Sequence, residues 1–154
     1  MTETAESRLK ALGIVLPKPN PPGANYLPTV TVGSLIFVSG QVSIDTDGSG
    51  FFGKLGAEYN VEQGRSAARL CAINLLANLK AALGDLEKIA RLIKLTGFVN
   101  CTSDFTEAHL VINGASDLLV EALGERGRHA RAAVGMASLP LGTAVEVEAI
   151  AEIA

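Results

Sequence analysis

The clearest pattern in the chain is an apolar stripe that runs from Val61 to Leu83. Alanine and leucine side chains recur there at three- and four-residue spacing, so one face of a helix would be apolar. Asn60 can cap the N-terminus of such a helix, and Gly84 is the residue type that commonly ends one. The pattern predicts a long helix over 61–83 that packs its apolar face against a sheet.

Other segments carry the patterns of strands and shorter helices. Residues 29–32 and 35–42 predict two strands joined by a tight turn at Gly33, and residues 145–153 alternate apolar and acidic positions as a half-buried strand does. The remaining predicted elements are a helix over 4–12, a strand over 89–100 with a candidate bulge at Gly97, a helix from Ser103 or Asp104 to about Leu123, and a strand over 130–136.

The order of these elements predicts an α+β fold. Each long helix connects two strands as a crossover does, and the LPLGT segment at 139–143 would close a hairpin between the last two strands. We therefore expect one mixed sheet with both long helices on one face. The 154 residues have the size of a single domain. Within that domain, residues 1–23 would form an N-terminal helix and a proline-rich extension.

The composition is rich in apolar residues and poor in charge. Hydrophobic residues make up 48% of the chain and charged residues 19%, and the mean hydropathy is +0.31. We expect either a large core or some surface buried against other subunits. The net charge of −3, the 5% of aromatic residues and the absence of Trp argue against a nucleic-acid partner.

Two further patterns bear on the compartment of the protein. Cys71 and Cys101 lie in apolar segments without a histidine cluster, so we expect buried free thiols in a reducing compartment and no metal site. No apolar run approaches the roughly 18 residues that a membrane helix needs, and the first residues lack the pattern of a signal peptide. The expectation is a cytoplasmic protein with no membrane partner.

The side chains that could carry chemistry lie in the last third of the chain. Arg131 stands in a strand of small residues, where its charge needs either an acid of a neighbouring strand or a bound carboxylate. Glu146 and Glu148 share one face of the last strand, and a hairpin at 139–143 would place Glu146 beside the strand of Arg131. Glu146 is then either a solvated strand position or an acid that positions water. The residues by themselves indicate an anion-binding cleft.

The two histidines, His109 and His129, are isolated in the sequence. For His109 we expect an exposed or capping role in a helix. His129 opens a strand between two arginines, where a structural role is favoured over a place in a site.

Several segments carry a resemblance that covers about 24–153. They are ANYLP, LIFVSGQV, AARLCAINLLANLKAALG, KLTGFVNCTSDF, VINGASDLL and ARAAVGMASLPLGTAVEVEAIAEI. Together they resemble the Rid family, whose members are also called YjgF-like proteins. The resemblance implies a chorismate-mutase-like α+β domain that forms a homotrimer with clefts between its subunits. It also implies hydrolysis of reactive 2-imino acids, or their enamine tautomers, to 2-keto acids and ammonia, without a metal or an organic cofactor.

The resemblance further implies roles for individual residues. Arg131 matches the arginine that holds the substrate carboxylate, and Glu146 matches the acid associated with the hydrolytic water. The other implied substrate-binding positions are Tyr26, Ser39, Gly40, Asn113 and Ala133. The family's best-known members have a cysteine where this chain has Ala133, and its thiol is not the nucleophile of the implied reaction. Alanine there is expected to change the shape of the pocket more than its chemistry.

Three alternatives to an imine hydrolase stay open on the same fold. The Arg131 cleft could hold a small carboxylate without turnover, as a sensor does. Ribonuclease activity, which the family name endoribonuclease L-PSP carries, is disfavoured by the lack of paired histidines and by the negative charge. A chaperone-like role is permitted by the apolar composition, which does not favour it specifically.

Overall fold

The computed structural model describes residues 2–154 and contains three helices and five strands in that range. Their bounds are α1 Ala5–Ala11, β1 Thr29–Val32, β2 Leu35–Val42, α2 Val61–Leu83, β3 Ile89–Asn100, α3 Ala108–Leu123, β4 Ala130–Met136 and β5 Val145–Ile153. Short 3₁₀ turns lie at Leu86–Lys88, Gly124–Gly127 and Pro140–Gly142. The predicted α+β architecture with a mixed sheet is confirmed.

The ends of α2 follow from local hydrogen bonding, and both are where the sequence predicts them. The Asn60 side chain accepts a hydrogen bond from the Gln63 backbone N–H, and the Gln63 side chain accepts one from the Asn60 N–H, each at 2.9 Å. Gly84 has a φ of 79°, a left-handed conformation that glycine adopts without steric cost. The cap pair and the glycine therefore fix the length of α2.

The strand order differs from the prediction at the C-terminal end of the chain. The sheet runs β1-β2-β5-β3-β4, with β4 parallel to β3 and the other pairs antiparallel. The predicted hairpin between β4 and β5 is therefore wrong. α3 carries the chain back so that β4 lies parallel to β3 at the sheet edge. The connection to β5 then crosses the end of β3, where the Asn100 side chain donates to the Thr143 carbonyl at 3.1 Å.

Two smaller predictions are also wrong. α3 begins at Ala108 and not at Ser103 or Asp104, because the Asp104 carboxylate accepts a hydrogen bond from the Thr102 hydroxyl at 2.7 Å instead of capping the helix. The register shifts of β3 against β5 lie between residues 89 and 94, so Gly97 is not a bulge. Gly97 leaves room for Ile112 of α3, whose side chain would overlap a Cβ at that position.

The two long helices pack on one face of the sheet, as predicted, and bury the core there. Val145, Val147 and Ala149 of β5 face the helices and are almost fully buried. Because side chains alternate along a strand, Glu146 and Glu148 project from the opposite, open face. Cys71 and Cys101 are free and buried, as predicted. Among residues 2–154, no helix combines the length and apolar character needed to cross a bilayer.

The open face of the sheet carries apolar side chains that the chain itself leaves uncovered. Val30 of β1 pairs with Phe37 of β2, and Phe37 pairs with Ile150 of β5, so the three lie side by side on this face. Val30 is 48% and Phe37 41% exposed. This row of residues is called the open-face patch below.

Candidate active site

Arg131 lies on the edge strand β4 and points toward α3. Its Nη1 donates to the Ser116 hydroxyl at 3.1 Å, and its Nη2 donates to the backbone carbonyl of His109 at 3.0 Å. Within residues 2–154 the guanidinium forms no ion pair with an acid. Of the two roles left open by the sequence, the salt bridge to a strand acid is thus not found. The charge of Arg131 is held in place by neutral oxygens.

Asn113 shares a helix face with the two residues that contact this arginine, and Ala133 follows the arginine on the same side of β4. His109, Asn113 and Ser116 are spaced by four and three residues, so they share the face of α3 that meets β4. Ala133 lies two residues beyond Arg131 on the same side of β4 and packs against the core. Because β4 is an edge strand, one side of its backbone has no partner in the chain. Arg131, Asn113 and Ala133 form the first group of candidate residues, called the arginine group below.

A histidine and a serine complete the surroundings of Arg131. His129 Nε2 lies 2.9 Å from the Ser116 hydroxyl, and Nδ1 lies 2.6 Å from the Gly127 carbonyl oxygen. Burial lowers the pKa of His129, the charge of Arg131 lowers it further, and the bond to Gly127 opposes the shift. Sequence reasoning did not single out Ser116, because its contacts join residues 13 and 15 positions apart. The spacing of Ser116 from His109 along the helix indicates a contact with Arg131 only when the arginine is known to lie against α3.

Glu146 lies on the open face of β5, between Val42 of β2 and Phe98 of β3. The carboxyl group is half-buried, and burial raises its pKa, with a further rise from the negative charge of Glu148. A Cβ on Gly40 would overlap the Oε1 atom of Glu146, so the glycine is what lets the carboxylate lie against β2. A carboxyl group in a cleft whose pKa is raised by burial is a candidate for proton transfer.

A cavity of about 440 Å³ opens beside Glu146 where β2 extends beyond the end of β1. Tyr26, Gly40 and Glu146 all line it, which brings together three of the predicted site residues. The proline-rich extension forms one wall, and Asn74 and Asn78 of α2 form another. The tyrosine is 53% exposed, so its ring is free to contact a molecule in the cavity. We call these three residues the glutamate group.

Ser39 does not line this cavity. Its hydroxyl donates to the Leu27 carbonyl at 2.7 Å, and its backbone N–H donates to the Pro28 carbonyl at 2.9 Å. It borders a neighbouring cavity of about 240 Å³ on the open face, which Glu148 also lines. Ser39 therefore fastens the segment that carries Tyr26, and its hydroxyl is already engaged.

A single chain does not bring Arg131 and Glu146 together. β3 lies between the strands that carry them, and the register places Leu95 beside Arg131 and Phe98 beside Glu146. Arg131 faces α3 on the helix side of the sheet, whereas Glu146 projects from the open face. The expectation that the two lie on neighbouring strands is corrected by this order. Within residues 2–154, no group of three or more His, Cys, Asp or Glu side chains is placed to hold a metal ion.

Comparison with known proteins identifies the family of the chain. Residues 6–153 match the model of the family described as YjgF/chorismate mutase-like, "putative endoribonuclease". Protein TCP17 of Trypanosoma cruzi is 47% identical over 148 residues, which is 96% of this chain and 92% of that protein. The crystal structure of Atu1372 from Agrobacterium tumefaciens, a protein described as having unknown function, is 52% identical with a TM-score of 0.91. That alignment covers 97% of this chain and 92% of Atu1372.

A more distant solved structure carries the name RidA. The crystal structure of RidA from an Antarctic Psychrobacter species is 28% identical with a TM-score of 0.62, over 88% of this chain and 94% of that one. The family match spans nearly the whole chain, and the α+β architecture agrees with it. The chain therefore belongs to the YjgF/chorismate mutase-like family.

Proposed function

We propose that this protein hydrolyses reactive 2-imino acids to 2-keto acids and ammonia. Membership of the family supports the proposal at the level of reaction class, since the family includes proteins named RidA. The observation that carries it is the Arg131 guanidinium, which hydrogen bonds hold in place without an acidic partner among residues 2–154. A cation held this way is available to bind a substrate carboxylate.

Arg131 would bind the carboxylate and thereby fix the neighbouring C=N carbon. Guanidinium presents donors in a planar fork that matches the two oxygens of a carboxylate. The free backbone side of β4 near Ala133 offers further donors to the same group. Binding at this end of the substrate leaves its side chain to fill the remaining space of the cleft.

Glu146 would assist the attack of water on the imine carbon. Its carboxylate accepts a proton as water adds to C=N, and the resulting carbinolamine takes a proton at nitrogen before ammonia leaves. The balance is one imino acid and one water in, and one keto acid and one ammonia out. Free imines already hydrolyse in water, so the protein needs only to position the reactants and move a proton.

We propose that the complete site forms between subunits of a homotrimer. The arginine and glutamate groups lie on opposite faces of the sheet in one chain, so a cleft containing both needs a second copy. The open-face patch supports such an assembly, because an uncovered row of apolar residues on a sheet is typical of an interface. In this assembly Arg131 of one subunit would lie near Glu146 of the next.

A second candidate function is the binding of a small carboxylate without turnover. It is favoured by the separation of the two groups, because the arginine group could bind a carboxylate even where Glu146 is out of reach. Saturable binding of a 2-keto acid, with no change in the decay of any imine, would select this function.

The test is the decay of 2-imino acids generated in place by an amino acid oxidase. Semicarbazide traps the imine that remains, and wild-type protein is compared with Arg131→Ala at equal concentration. Arg69→Ala is the matched control, because Arg69 pairs with Glu121 at 3.7 Å between α2 and α3. We expect wild type and Arg69→Ala to lower the trapped imine and Arg131→Ala to leave it unchanged. No effect of wild type on small, aliphatic or aromatic imines would overturn the proposal.

A further inference from the structure

We propose that Ser116 and His129 are positioning residues that hold the Arg131 guanidinium ready for a carboxylate. This inference rests on the proposed role of Arg131, and it concerns two residues to which neither the family resemblance nor the comparisons assign a role. The chain of contacts runs from Gly127 through His129 and Ser116 to Arg131.

With a neutral His129 ring, the hydrogen-bonding capacity of each group allows one arrangement of protons. The Gly127 carbonyl can only accept, so His129 Nδ1 carries the hydrogen of the 2.6 Å contact. In the neutral ring Nε2 is then an acceptor, and the Ser116 hydroxyl donates to it at 2.9 Å. The oxygen lone pairs of Ser116 are left to accept from Arg131 Nη1 at 3.1 Å. Every member of the chain is satisfied, and the guanidinium is oriented at its end.

The surroundings of His129 favour the neutral ring that this arrangement needs. Burial is the main cause of its lowered pKa, and the Arg131 charge adds to it. The acids on the neighbouring elements are engaged elsewhere, since Glu125 pairs with Arg128 and Asp117 pairs with Arg65. The other charged groups near this end of β4 are the guanidinium groups of Arg128 and Arg91 and the ammonium group of Lys94. Arg91 donates to the Arg128 carbonyl, and Lys94 pairs with Ala130 and lines the cavity on the open face.

Two hydrogen bonds that anchor one guanidinium reduce the entropic cost of binding a carboxylate. A free arginine side chain populates many rotamers and loses that freedom when a ligand binds, whereas an anchored one has lost it on folding. Nη2 is fixed by a backbone carbonyl, which substitution leaves in place, so Ser116 is the anchor that mutation can remove. We therefore expect Ser116→Ala to raise the KM about three- to tenfold and to change kcat little.

The first experiment follows the guanidinium itself and needs no ligand. Nitrogen-15 NMR reports rotation about the Cζ–Nε bond of each arginine, and we expect slow rotation of Arg131 in wild type. Ser116→Ala and His129→Phe should speed it, and Ser116→Thr should retain it, because threonine keeps the hydroxyl. Ser66→Ala is the matched control, since the Ser66 hydroxyl donates to the Glu62 carbonyl within α2. Equal rotation rates in wild type and Ser116→Ala would overturn the inference.

The second experiment asks whether the chain of contacts responds to a bound carboxylate. The protein has two histidines, so proton NMR resolves two ring signals, and His129→Phe assigns them. A carboxylate on Arg131 offsets the positive charge that lowers the His129 pKa, so saturating 2-ketobutyrate should raise that pKa. A His129 pKa that stays constant while calorimetry shows 2-ketobutyrate bound would contradict the inference. Absence of any binding would instead overturn the proposed function, while the rotation measurement would still decide the positioning role.

Discussion

The Arg131 guanidinium is held by a hydroxyl and a carbonyl oxygen of α3, whereas the Glu146 carboxylate lies beside an open cavity of about 440 Å³. Burial and the charge of Glu148 are the causes of the raised Glu146 pKa, with no hydrogen bond among them. In the proposed reaction, Arg131 is oriented before a substrate arrives, and Glu146 is free to change its protonation and its contacts.

In the proposed hydrolase, this difference divides carboxylate binding and proton transfer between the two faces of the sheet. Binding needs a fixed cation, and a hydrogen-bonded arginine on the helix side provides one. Proton transfer needs a group that can change its protonation and contact water, and Glu146 lies beside an open cavity with a pKa that burial raises. Changes in the arginine group should therefore act mainly on KM, and changes in the glutamate group mainly on kcat.

The largest effect is expected from Glu146→Gln. Glutamine keeps the size of the side chain and loses the ability to take a proton, so kcat should fall about 100-fold or more, with a nearly constant KM. Steady-state imine hydrolysis measures both constants, and Glu152→Gln on the same face of β5 is the control. An unchanged kcat would remove Glu146 from the reaction.

A somewhat smaller effect is expected from Arg131→Lys. Lysine keeps the charge but replaces the planar fork by a single ammonium group, so two-point binding of a carboxylate is lost. The KM should rise roughly 10- to 30-fold while kcat stays within a few-fold of wild type. A fall in kcat at constant KM would assign Arg131 to the chemical step. It would contradict the division of binding and proton transfer between the arginine and glutamate groups.

A moderate effect is expected from Gly40→Ala. The added Cβ overlaps the Oε1 atom of Glu146 and displaces the carboxylate, so kcat should fall roughly fivefold. Gly23→Ala is the control, because Gly23 lines the same cavity and has open space where its Cβ would stand. Equal kcat values for the two variants would show that the position of the carboxylate against β2 does not matter.

The smallest effect is expected from Glu148→Gln, and it is a shift in pH dependence. The negative charge of Glu148 contributes to the raised pKa of Glu146, so its removal lowers that pKa. If ionised Glu146 is the active form, the acidic limb of the kcat profile rises with pH through this pKa and should move to lower pH in the variant. A kcat that instead falls as pH rises through this pKa, with the falling limb at lower pH in the variant, would show that protonated Glu146 is the active form.

The sequence predicted the parts of the fold that depend on neighbours along the chain. Asn60 and Gly84 bound α2 as expected because caps and left-handed glycines act within a few residues. β1, β2 and β5 follow from their apolar patterns in the same way. The predicted pairing of β4 with β5 is wrong because the turn residues at 139–143 are compatible with two connections. One is a hairpin, and the other crosses the end of β3. The order of the strands depends on where α3 returns the chain to the sheet, and no local sequence pattern predicts that position.

The sequence also predicted part of the arrangement of the candidate site residues. Tyr26, Gly40 and Glu146 line one cavity, and Asn113 shares the helix face that holds Arg131. The resemblance supplied these positions because motifs keep their order along the chain. The role of Ser116 was missed, and His129 was expected to be structural, because their contact with Arg131 exists only when α3 packs on β4. The contacts of Ser116 and His129 with Arg131 follow from the packing of α3 on β4 and not from a sequence motif.

The central claim is that the arginine and glutamate groups meet only between two copies of the chain. Arg131→Ala and Glu146→Gln proteins, each inactive alone, can be mixed, unfolded and refolded together to form mixed oligomers. In a trimer with sites between subunits, about one quarter of the sites then combine an intact arginine with an intact glutamate. We predict recovery of about one quarter of the wild-type imine hydrolysis. Mixed oligomers that form, as mass spectrometry would show, and stay inactive would contradict the account.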